Sequence, residues 1–176
     1  MALDNNIRIL INELANAVRS YFDVEVPIKN IEDIVSKMGG VVIENPNMDC
    51  FSDGKIQRTG NETFTIEVSP YQSQERKNFT IAHEIGHLFL HMGFIVDEDK
   101  WNAQGERVYY RNGNSREEYF ANEFAAAFLM PKIEYKRVMD KNTEGNTVNT
   151  QEIAKYFNVS TEAASNRGKW LGYLQW

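Results

Sequence analysis

Residues 79–91, FTIAHEIGHLFLH, set His83 and His87 four positions apart with Glu84 directly after the first. Side chains four apart share one helical face, so the two imidazoles could grip one metal ion, and the spacing suits zinc. Glu84 would then sit beside the metal and not on it, placed as a general base to take a proton from zinc-bound water in peptide hydrolysis. The five-residue pattern alone also arises on ordinary helices. Its surroundings favour the metal. Between 79 and 96 the one formal charge is Glu84; Ile81, Ile85, Leu88 and Met92 lie on one side, with Phe79, Ala82, Phe89 and Leu90 on another. A helix that is apolar over most of its circumference is buried. Buried imidazoles beside a buried carboxylate are expensive unless a divalent cation satisfies them. All three histidines of the chain, His83, His87 and His91, lie in this stretch.

A catalytic zinc usually takes three protein ligands plus water, and no histidine downstream offers the metzincin spacing. The third donor is therefore expected as a carboxylate on the helix that begins near Ser115 and runs through EEYFANEFAAAFLM to Pro131. Glu118 is the first choice, because Asn122 lies one turn on and could orient a ligand or its histidine partner. Glu117 and Glu123 are the alternatives. Ser115 and Glu118 also form the S-x-x-E pattern of a capping box, which would give Glu118 a purely local task. His91 continues the histidine strip but lies about 12 Å along the axis from His83, too far to share its metal, so it supports the site or the fold. For a second oxyanion donor, Tyr109, Tyr110 or Tyr119 could serve.

These side chains need elements to hold them. With 176 residues the chain suffices for one packed core, so one domain over 1–176 is expected. Helices, sheet and metal site would occupy 1–140, and a helical subdomain 147–176. Hydrophobic residues make up 42% and aromatic residues 12%, a globular composition, and no apolar run is long enough to cross a bilayer. MALDNNIRIL lacks the pattern of a secretory signal, and the single cysteine, Cys50, rules out an internal disulfide and reads as a buried structural thiol. A cytoplasmic location is expected. The net charge of -6 argues against a general affinity for nucleic acid and leaves protein partners open.

Ile7, Leu10, Ile11, Leu14, Val18, Tyr21 and Phe22 recur at spacings of three and four, which predicts an amphipathic helix over 4–22. Asn30 is expected to cap a second helix through Met38, closed by Gly39 and Gly40. Short β-rich runs at 41–44, 49–52, 55–59 and 63–68, parted by turn signals, predict a small antiparallel sheet with Phe64, Ile66 and Val68 on one face. The run 63–68 is also the candidate edge for a peptide substrate bound as an added strand. Either Ser69 or Ser73 caps the motif helix, which runs to about His91. Residues 93–114 read as a long surface loop; Trp101, Tyr109 and Tyr110 either fold over the cleft or, as preferred, pin the loop to the core. Pro131 opens a further helix through Val138, and KNTEGNT from Lys141 reads as a loop. From Thr150 two short helical periods join at Asn158 and Val159, with Ser160 as the second cap. That spacing resembles a helix-turn-helix. Yet Lys155, Arg167 and Lys169 are nearly balanced by Glu152 and Glu162, so packing or partner binding is favoured over direct DNA reading. The fold class is α+β: a small antiparallel sheet packed on a metal-binding helix core, with a helix-turn-helix-like C-terminal part.

The segments ERKNFTIAHEIGHLFLH, EYFANEFAAAFLMP and AKYFNVSTEAASNR, in that order, resemble the ImmA/IrrE family of zinc metallopeptidases over most of the chain. The resemblance implies a gluzincin-like fold with Zn2+ held by His83, His87 and Glu118 and with Glu84 as general base. It also implies a protein substrate, a particular repressor of the helix-turn-helix class. The acidic loop and the ending WLGYLQW depart from the family pattern. The alternative is a protein-binding module that docks a transcription factor, its metal site structural or inactive. Against that, a structural zinc usually takes four ligands rich in cysteine. Hydrolysis of a small non-peptide substrate is a further alternative.

Overall fold

The structure, a computed structural model, describes residues 4–48, 53–104, 108–110 and 115–176. The expected strand at 49–52 with Cys50 and the side chains of Tyr109 and Tyr110 lie outside the described residues. Helix α1 (Asn5–Tyr21) starts where the Asp4 carboxylate accepts from the Asn6 amide, and it buries Ile11, Ala15, Val18 and Arg19. Leu10 and Tyr21, expected on that face, are 64% and 71% exposed, so the buried stripe is rotated toward Ala15 and Arg19. Helix α2 (Ile31–Lys37) opens at Asn30, whose side chain accepts from the Glu32 amide, and stops before Gly39, at φ +88°. Both boundaries follow from the cap and the left-handed glycine.

Strands β1 (Gly40–Glu44), β2 (Gly54–Arg58), β3 (Phe64–Val68) and β4 (Val108–Tyr110) form one sheet in the order β1-β3-β2-β4. Phe64, Ile66 and Val68 are buried, as their alternation predicts. One ladder departs from the antiparallel expectation. β2 runs antiparallel to β3 and β4, but β1 joins β3 in parallel, in the register Gly40↔Phe64 to Glu44↔Val68. The turn after β2 lays β3 beside it, and β3's other side then pairs with β1, where Gly40 has no Cβ to meet the Phe64 ring. This corrects the expected substrate edge: β3 is flanked on both sides, so 63–68 has no free ladder groups for an added strand.

The described residues of 93–114 also hold more than a loop. It contains helix α4 (Glu98–Asn102) and β4. Trp101 is buried against Phe94, with ring centroids 5.0 Å apart, and its indole N–H donates to the Asn61 carbonyl. Trp101 therefore pins this segment to the core.

Helix α3 (Gln74–Leu90) begins at Ser73, whose hydroxyl accepts from the Arg76 amide at 3.3 Å. It packs on β2 and β3 with one side and on α5 (Arg116–Leu129) with the other, while α5 also packs on α1. Cover on both sides explains why residues 80–89 of α3 are buried all round. A Cβ on Gly86 would lie 3.1 Å from both Cα and O of Ala121, so glycine here permits the close approach of α3 and α5. At the other end, α5 has no basic residue in its last turn. Its orphan carbonyls are met from outside: Arg19 donates to Ala127 O and Phe128 O at 2.8 and 3.1 Å.

The chain ends in α6 (Lys132–Lys141), a two-stranded hairpin of β5 (Thr143–Glu144) and β6 (Thr147–Val148), α7 (Thr150–Phe157) and α8 (Thr161–Trp170). The hairpin stands where a loop was expected, and Gly145 at φ +57° makes its turn. Asn158 at φ +53° ends α7 and Ser160 caps α8, as the sequence predicts. Side-chain bonds tie the tail down: Asn78 donates to Asn158 O at 2.9 Å and the Tyr135 hydroxyl to Ala164 O at 2.7 Å. One apolar cluster runs from Ile11 to Ala164, and the fold is α+β. Among the described residues no helix is long and apolar enough to cross a membrane. Gly86→Val is expected to push α5 off α3 and lower the stability measured by urea unfolding by about 1–3 kcal/mol. An unchanged urea midpoint would refute the close contact.

Candidate metal centre

His83 and His87 turn toward α5, and Glu118 reaches back from that helix's first turn. The Ser115 hydroxyl accepts from the Glu118 amide at 3.3 Å, so the cap forms as its pattern predicts. The carboxylate, however, turns to the histidines and not back to the cap. Its Oε2 lies 3.2 Å from His83 Nε2 and its Oε1 3.2 Å from His87 Nε2, with 3.0 Å between the two imidazole nitrogens. Backbone and side chain of one residue thus carry out two separate tasks. The alternatives fall away: Glu117 is exposed, and Glu123 faces Arg8, Arg167 and Asn12.

One ligand atom from each of His83, His87 and Glu118 lies within 4.8 Å of the others, and all three residues are buried. The group could hold a metal ion. Burial works against ionising Glu118, but the hydrogen bonds from His83 and His87 outweigh it and hold the carboxyl below the usual carboxylate range. Two nitrogens and a carboxylate oxygen converging at this distance form a donor set that a divalent cation satisfies.

The far side of each imidazole is held as well. His83 Nδ1 lies 2.9 Å from Asn122 Oδ1; an amide oxygen only accepts, so in this contact Nδ1–H donates. His87 Nδ1 lies 2.9 Å from His91 Nδ1. Burial first, and then the neighbouring His87, push the pKa of His91 down to about 3, so it is neutral near pH 7 and its Nδ1 can accept a hydrogen bond from His87. The His91 ring also stacks on Phe120, with centroids 6.4 Å apart.

Glu84 is 2% exposed and, with His83, Asn122 and Tyr119, lines a cavity of about 500 Å³. Of the tyrosine candidates, Tyr119 is the one whose side chain is described and lines this space. Sequence reasoning misses one residue at the centre. A Cβ on Gly54 would lie 3.0 Å from Glu84 Oε1 and 2.6 Å from Thr80 Cγ2, so the start of β2 can press against Glu84 only as glycine. Asp53-Gly54 carries no more than a turn signal in the sequence, and local pattern cannot report what a strand will touch.

Residues 38–169 match the family described as the IrrE N-terminal-like domain, Peptidase_M78, a family of peptidase-type hydrolases. No curated protein matches the chain. A solved structure, a "Mycobacterium tuberculosis transcriptional regulator", shares its fold at a TM-score of 0.58 and 17% identity. That similarity covers 89% of this chain and 45% of the other, so this chain spans about half of its relative's length. From the span of the match, three quarters of the chain and all the ligand candidates, the chain belongs to the IrrE N-terminal-like domain family.

Proposed function

We propose that the chain is a zinc-dependent endopeptidase that cleaves a helix-turn-helix transcriptional repressor in the cytoplasm, working as one domain in which 147–176 is a helix-turn-helix-like subdomain. The observation that carries this is the buried triangle of His83, His87 and Glu118 with Glu84 beside it on a cavity wall. Membership of a peptidase family supports the reaction class, and the fold shared with a transcriptional regulator supports a regulatory setting. His83, His87 and Glu118 are the ligands, the number that a catalytic zinc takes. When bound, zinc would supply Lewis acidity, lowering the pKa of water and polarising the scissile carbonyl.

The remaining work belongs to the chain. The carboxylate of Glu84 takes a proton from water as its oxygen bonds to the carbonyl carbon, then delivers that proton to the amine nitrogen as the C–N bond breaks. Asn122 and His91 hold the ligand imidazoles in the tautomer that turns the Nε2 lone pair to the centre. The Tyr119 hydroxyl is the candidate donor to the developing oxyanion. Gly54 keeps the space that the Glu84 carboxylate occupies.

Glu84→Gln is expected to retain zinc and the fold, by metal analysis and circular dichroism, yet abolish cleavage of a helix-turn-helix repressor that the wild-type protein cuts. Full cleavage by that variant would sink the mechanism. His87→Ala should lose the metal, and unchanged zinc content would refute its place as a ligand. With Asn122→Ala, zinc affinity should fall about 10–100-fold in a chelator competition, whereas wild-type affinity would remove Asn122 from the support of His83. Gly54→Ala should displace Glu84 and lower kcat by about a hundredfold at unaltered zinc affinity. An unaffected kcat would show that the contact does not position the base.

A further inference from the structure

The cavity beside Glu84 has a wall that comes from the C-terminal tail. Ala163, Asn166 and Trp170 of α8 line it, opposite Phe79 of α3 and Ala126 of α5. Spacings of three and four put the α8 residues on one helical face. In a helix-turn-helix, α8 would be the second helix, the one that reads DNA. Here that face looks toward His83 and Glu84 instead. Arg167, one of the tail's nearly balanced charges, is 2% exposed and donates to Glu123 Oε1 at 3.1 Å, Asn12 Oδ1 at 2.7 Å and Met130 O at 3.0 Å.

The same bonds determine the chemistry of the lining. Its cations are matched within the wall: Arg8 and Arg167 share Glu123, and Arg76 pairs with Asp53. The Arg8 guanidinium also lies 4.0 Å over the Trp170 ring and holds it in place. Beside the candidate centre Phe79, Ala126, Ala163 and Trp170 contribute apolar surface, and the two alanines leave depth between their helices; the lining also holds Tyr119, Asn122 and Asn166, with the carboxylates Glu75, half-buried, and Glu162, exposed. A volume of about 500 Å³ exceeds one side chain and suits a side chain with its flanking backbone.

We infer that α8 is the selecting wall of the substrate cleft, and that Phe79, Ala126, Ala163 and Trp170 receive a bulky apolar side chain next to the scissile bond. This rests on the endopeptidase proposal, but binding can be measured apart from cleavage. The probes are blocked, fluorescein-labelled, alanine-rich octapeptides that carry Gly, Leu, Phe, Lys or Glu at one scanned position. They are titrated against zinc-loaded Glu84→Gln protein by anisotropy. At one position the Leu and Phe peptides should bind about tenfold or more tightly than the Gly, Lys and Glu peptides. Adding Ala163→Phe should erase that preference while zinc affinity and Tm hold. Trp170→Ala, which opens the cavity, should weaken the preference for Phe. Equal affinity across the series, no binding of any peptide, or a preference that survives both substitutions overturns the proposal. If wild-type protein cleaves nothing while the preference is present, the peptidase reading fails and the pocket stands. Cleavage without preference at any position has the reverse meaning.

Discussion

The backbone of Ala121 can approach α3 because Gly86 carries no side chain, and this contact sets where the candidate ligands fall. On α3, His83 lies three residues before the contact and His87 one after. On α5, Glu118 and Asn122 have the same offsets from Ala121. Each helix therefore presents its functional pair one turn apart across a narrow gap. Short side chains reach further when backbones are close: a glutamate spans both imidazoles at 3.2 Å, and an amide still meets His83 from the next turn. A wider helix spacing would leave a buried carboxylate away from the groups that hold it ionised.

The far end of α5 is held by charge. Arg19 from α1 and Arg167 from α8 donate to carbonyls at or beyond its last turn, and Glu123 draws Arg8 and Arg167 together. Burial, with Arg167 nearby, brings the pKa of Arg19 down to about 10, still well above neutrality, so the guanidinium remains charged there. Burial also pushes Arg167 down, while Glu123 pulls it back. A buried ion pair is weak evidence for net stability, because desolvation offsets the attraction. Its effect here is geometric. The bonds of Arg167 require α8 to lie against α1 and α5, which turns the tail's inner face into a cavity wall.

Much of this was legible where local physics decides. The caps at Asn30, Ser73, Ser115 and Ser160 form, and Asn158 takes the left-handed turn, because a side-chain oxygen or a short polar residue satisfies backbone groups within a few residues of itself. The alternation of Phe64, Ile66 and Val68 is the same kind of signal. Strand neighbours are not local. Nothing in GVVIE says that it will pair in parallel with FTIEV, and that pairing removes the edge on which a substrate strand was expected. The short strand at 108–110 was missed for a related reason, since three residues between polar flanks carry too little pattern.

The amino-acid sequence by itself determined the histidine pair, the carboxylate beside it, the candidate third ligand and the helices that carry them, because the spacing of side chains on a helix is set by its own backbone. Only the tertiary structure decided which glutamate turns to the imidazoles, that His91 supports His87, that Gly54 borders Glu84 and that Arg167 is an anchor. Those outcomes depend on distances between elements far apart in the chain. Such distances follow from how side-chain volumes pack, from a missing Cβ at Gly86 to the bulk of Trp101 under its segment, and packing is a property of neighbours that the chain order does not name.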